Sequence, residues 1–89
     1  MTANSLIDFT IREIARDYQP GTFPWMKASR PDKWGEMVTY ERRVNEMALG
    51  NDTEGLKRAL TDYQRLILGM VREFKALKEE RGRRMFKFK

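Results

Sequence analysis

The side chains able to do chemistry set the first limits. The 89 residues include no histidine and no cysteine. That removes the usual general base, the usual soft metal ligands, a thiol nucleophile and any disulfide framework. What remains is carboxylates, hydroxyls and cations. Glu13 with Asp17, and Glu36 near Glu41, fall at roughly helical spacing. Each pair has arginines beside it (Arg12, Arg16, Arg42, Arg43) and reads as a solvated, ion-paired face. A carboxylate pair working on a glycoside would need a cleft that so small a bundle rarely makes. The stretch Gly50 to Lys57 resembles a phosphate-binding loop. However, Lys57 is displaced by one position and no hydroxyl residue follows it, so a turn between helices explains it better. It does not have the spacing of a calcium loop, and a di-metal bundle would need Glu-x-x-His. No enzymatic activity, cofactor, metal or small-molecule substrate is expected.

The second chemically distinctive segment is the C-terminus. Eighteen basic and thirteen acidic residues give a formal net charge of +5. Residues 1–52 hold seven basic and eight acidic side chains, residues 53–80 six and five, and residues 81–89 five and none. The excess therefore sits in Arg81, Arg83, Arg84, Lys87 and Lys89, interleaved with Phe86 and Phe88. Cations follow phosphates and aromatic faces stack on bases, so these seven residues are the candidate contacts for nucleic acid. The same mixture also suits an anionic membrane surface. A frayed chain end, or a short extended segment folded back over the helices, is the structural alternative.

Positioning these groups falls to helices. Ile7, Ile11, Ile14 and Tyr18 recur at intervals of four, three and four, which predicts a helix over residues 5–18 with Ser5 as its cap. A loop over residues 20–30 follows, rich in Pro, Gly and aromatic residues. Phe23, Trp25 and Met26 require it to be ordered against the helices, because burying each is worth about 1.5–3 kcal/mol. One short turn can begin at Pro24. Ser29-Arg30-Pro31-Asp32 has the form of a capping box for a second helix over 31–49. Trp34, Met37, Tyr40, Val44 and Met47 form its stripe, widened by Val38, Ala48 and Leu49. Gly50 is placed for a left-handed cap, and Asn51 or Asp52 for the next N-cap.

The third helix, over 52–81, carries Leu56, Leu60, Tyr63, Ile67, Met70, Phe74 and Leu77 at heptad spacing. Gly82 reads as its stop. The short link makes the second and third helices an antiparallel hairpin, with the third overhanging by about ten residues, or ~15 Å. Gly69 in the apolar run Leu66–Val71 implies close approach of a neighbour, either Trp25 or the first helix.

These readings give an all-α fold: a small three-helix arrangement built on a long antiparallel hairpin with an ordered aromatic loop. It forms one domain over 1–80 with a basic tail over 81–89. The expected role is a non-enzymatic helical interaction or assembly module, including the homodimer as one form. Ile67, Met70, Phe74, Leu77 and Trp25 are the candidate interaction residues. The alternative is a nucleic-acid-binding accessory protein using the C-terminal segment. No run is long enough to span a membrane, and the start of the chain lacks a signal-like pattern, so a cytoplasmic location is expected.

Overall fold

The computed structural model describes the backbone of residues 2–87 and the side chains of residues 2–82. It contains four helices and, among the described residues, no strand: α1 (Ala3–Asp17), α2 (Thr22–Ser29), α3 (Pro31–Leu49) and α4 (Thr53–Lys87). α3 and α4 form the expected hairpin, with the most extensive contact in the molecule. α1 lies along α4, and α2 packs on both α3 and α4.

The core has two parts. Near the hairpin turn, Val44, Leu56, Ala59 and Leu60 are buried, with Leu6 and Ile7 of α1 packed against them. Further along, Ile14, Met26, Met37, Ile67, Met70 and Val71 form the second cluster. α1 and α4 therefore run in the same direction, early residues against early and late against late. The radius of gyration is 15.8 Å, against about 12 Å for a compact chain of this length. The excess comes from α4, whose 35 residues span about 52 Å.

Several local readings are corrected. Thr2, not Ser5, caps α1, its hydroxyl accepting from the Ser5 amide at 3.2 Å. The aromatic loop is largely the helix α2. Its start is set by Gly21, whose φ of +93° lies in the left-handed region, and by Thr22. The Thr22 hydroxyl is fully buried and donates to the Gln19 carbonyl at 2.6 Å. Pro24 in the first turn lacks an amide that would have had no partner. Ser29 is thereby consumed by α2, and Arg30 precedes Pro31 with no side-chain cap.

At the hairpin turn Gly50 has an ordinary φ of −85°, and Asn51 takes the left-handed conformation at φ 57°. Asn tolerates that region better than most side chains. Asp52 is the cap of α4, accepting from the Gly55 amide at 2.9 Å. Gly82 does not stop α4, which continues to Lys87. A helix-interior glycine costs only about 1 kcal/mol, and the arginines and lysines around it favour helix. The expected separate tail is thus helical over 81–87, while Phe88 and Lys89 lie outside the described residues.

Two expectations about packing also change. Ile11 is 54% exposed, and Thr10 takes the inward position at 6%. The Thr10 hydroxyl donates to the Leu6 carbonyl at 3.0 Å, so it is buried without losing a partner. Gly69 is exposed, and a Cβ built on it meets nothing within 4 Å. The close approach occurs at Gly21 instead, where a Cβ would lie 3.4 Å from the Phe74 ring.

These two glycines give opposite predictions. Gly69→Ala should stabilise the protein by about 1 kcal/mol, raising Tm by roughly 4–8 °C. Gly21→Ala should lower Tm, because an L side chain at positive φ costs about 1–2 kcal/mol. Thermal melts followed by circular dichroism test both, and a lowered Tm for Gly69→Ala would contradict the open environment described here.

Candidate functional site

The α4 seam expected to receive a partner is occupied from within. Ile67 and Met70 are 1% and 8% exposed and belong to the core. Phe74 is half-buried beneath Trp25 of α2, the rings 5.3 Å apart and tilted by 34°. Lys78 lies over the same Phe74 ring, its Nζ 5.4 Å from the centroid. Leu77 is half-buried. The part of α4 beyond the hairpin is therefore covered first by α2. Arg30 fixes that junction by donating from Nε to the Glu73 carboxylate at 2.9 Å. Of the C-terminal candidates, Arg81 is exposed, and residues 83–87 continue the helical backbone.

The open apolar surface lies elsewhere. α1 and α3 both rest on α4 but scarcely touch each other. A trough runs between them, floored by Tyr63, Leu60 and Ile67. Its wider part is a hollow of about 370 Å³ bounded by Ile11, Ile14, Tyr18 and Phe23; a narrower part of about 170 Å³ continues past Ile7 and Val44. On the α3 side, Trp34, Val38, Glu41 and Asn45 follow one helical row, and Val38 is 39% exposed.

Aromatic contacts close one end of the trough. Tyr18 and Phe23 have ring centroids 5.0 Å apart, and Phe23 meets Trp34 edge-on at 6.0 Å. The Phe23 amide donates to the Tyr18 hydroxyl at 3.3 Å.

Ile7, Ile11, Ile14 and Tyr18 do share a side of α1, as their spacing implies. That side faces the trough more than the centre of the core, which is why Ile11 remains exposed. No signal in the sequence marks this, because a threonine read as polar carries no hint that it will turn inward with its hydroxyl bonded to its own helix.

The acidic residues singled out in the sequence are partly ion-paired. Glu13 pairs with Arg16 and Glu36 with Lys33, each at 3.2 Å on the surface. Among the described residues no three metal-ligating side chains come together, and no helix is long and apolar enough to cross a membrane. No protein-family model, curated protein or solved structure matches the chain.

The floor of the trough carries a phenol, Tyr63. Burial raises the pKa of the Tyr63 phenol above its ordinary value of 10.0, and the nearby Glu41 carboxylate adds to the rise. A raised folded-state pKa means the native protein holds a proton that the unfolded chain releases. The contribution to stability is complete below pH 10 and is lost as pH rises through the folded value. Stability should therefore fall above pH 10, and less steeply in Tyr63→Phe. Denaturant melts across that range, with ultraviolet titration of the phenols, check this; Glu41→Gln should bring the Tyr63 phenolate step to lower pH.

Proposed function

We propose that the chain is a small non-enzymatic assembly module that self-associates through the α1–α3 trough. The observation that carries this reading is an apolar hollow between α1 and α3 with the exposed Ile11 on its α1 side; Val38, also exposed, lies on α3 in the same helical row as Glu41 and Asn45, which line the trough. Ile11 and Val38 are already about half covered, so completing their burial is worth roughly half of the ~1.5–3 kcal/mol for a fully exposed side chain, before the cost of association.

A second copy is the occupant that suits the patch. A two-fold interface needs one surface to supply both ridge and slot, and here the rims and the hollow lie side by side. Charge also permits it. Of the described residues lining the trough only Glu41 is charged, so two copies meet there without the repulsion that would separate strongly charged surfaces. Ion pairs such as Asp8–Arg12, at 3.1 Å, present both signs on the surface of α1.

Light scattering over a concentration series tests the reading. The wild-type protein should approach the mass of two chains. Ile11→Glu with Val38→Glu should weaken association by at least about tenfold, equivalent to ~1.4 kcal/mol, and leave the helical spectrum unchanged because both residues are exposed. Ile67→Glu is no substitute for these changes, since it places a charge in the core and should unfold the chain. A wild-type protein that stays monomeric at high concentration would overturn the proposal.

A further inference from the structure

The other flank of α1 has the opposite character. Between the C-terminal end of α1 and α4 lies a cleft of about 460 Å³, with Arg16, Arg72 and Lys75 on its walls and Leu68 at its base. Among the described residues neither Arg72 nor Lys75 forms an ion pair; Arg16 holds only the surface contact with Glu13. The cleft belongs to a longer feature. From Lys57 to Lys78, α4 has six cations and two carboxylates, Asp62 and Glu73, and Glu73 is taken by Arg30. Arg58, Arg65 and Arg72 are seven residues apart, so they form one row at intervals of about 10.5 Å. All three are exposed. Phe9 lies two turns before Arg16 on the same side of α1 and is 56% exposed.

We propose that this flank binds single-stranded nucleic acid, independently of self-association. One phosphate sits among Arg16, Arg72 and Lys75. The strand follows the arginine row of α4, and a base stacks on Phe9. Three unpaired or weakly paired cations around one cleft suit a phosphate, and their repetition along a helix suits a chain of phosphates. The exposed aromatic selects a strand with free base faces over a duplex, whose bases are stacked on one another. Membrane insertion is less suited, because the exposed neighbours on the row, Thr61, Gly69 and Ala76, are small and leave Phe9 as a single apolar anchor on this flank. Asp17 also lines the cleft. Its carboxylate opposes an anion, which makes it a useful control.

Fluorescence polarisation with a labelled oligothymidine and an oligouridine, each about 20 nucleotides long and at about 50 mM salt, tests the proposal on the full chain. Arg72→Glu with Lys75→Glu should weaken binding at least tenfold and reduce the salt dependence by about 0.7 in log–log slope per lost contact. Phe9→Ala should weaken binding severalfold with the slope unchanged. Asp17→Asn should tighten it. Deleting residues 81–89 should leave measurable binding that Arg72→Glu with Lys75→Glu then removes, and Ile11→Glu should leave binding unaltered. Circular dichroism confirms that these surface variants fold. The proposal is overturned by the absence of binding at low salt, by charge-reversed protein binding within twofold of wild type, or by equal affinity for duplex with no effect of Phe9→Ala. Capture by vesicles containing anionic phospholipid, lost in the same variants while oligonucleotides are not bound, would assign the cleft to lipid headgroups instead.

Discussion

Every helix in this protein gains its position from one line of side chains on α4. Leu56, Leu60, Ile67 and Met70 are at most 8% exposed, and their burial at about 1.5–3 kcal/mol each is available only if other helices lie against that line. α3 covers it from one side by the hairpin, α1 from the other, and α2 closes the far end with Met26, which is fully buried. Most helical stability in proteins comes from packing of an apolar face rather than from backbone propensity, and the 35 residues of α4 present such a face. Since α1 and α3 are held by α4 more than by each other, gaps remain on both sides of α1. The surfaces of interest are those gaps.

The hairpin and the α4 seam were legible in the sequence because both rest on periodicity sustained over many turns. Heptad spacing from Leu56 to Phe74 leaves few alternatives, and a three-residue link imposes the antiparallel return. What was not legible depends on single residues with two options. Ser29 could cap α3 or end α2, and the outcome turned on whether Thr22 and Pro24 began a helix upstream. Gly50 and Asn51 could each take the left-handed position. Gly82 could end a helix or sit inside one at modest cost. The site was less visible than the fold for a related reason. Periodicity identifies Ile11 and Ile14 as neighbours on a face but does not say which of them points to the centre, and one inward threonine rotates the answer.

Charge shows how a summed quantity conceals a surface. Residues 53–80 carry six cations and five carboxylates, which reads as balance. Three of those carboxylates, Glu54, Glu79 and Glu80, lie at the ends of the segment, and Glu73 is bound to Arg30. The middle of the helix is left strongly basic on its solvent side. At about 0.15 M salt, interactions are screened beyond about 8 Å, so a phosphate at Arg72 responds to Lys75 and Arg16, and to Glu79 one turn beyond Lys75, far more than to Glu54. The relevant charge is local, and segment totals miss it.

The two surfaces are compatible because α4 has a solvent side and a packed side. The trough opens above the packed side, over Tyr63 and Ile67. The row Arg58, Arg65, Arg72 lies on the opposite side, about half a helical turn around the axis. Two copies joined trough to trough would therefore direct their cationic rows away from each other. Repulsion between the rows would not oppose assembly, and each row would remain open to a strand. An interface formed instead along the exposed face of α4 would bring like charges together and cover the cleft. The distribution of charge on α4 thus favours one mode of pairing over the other, even though neither Arg65 nor Arg72 takes part in it.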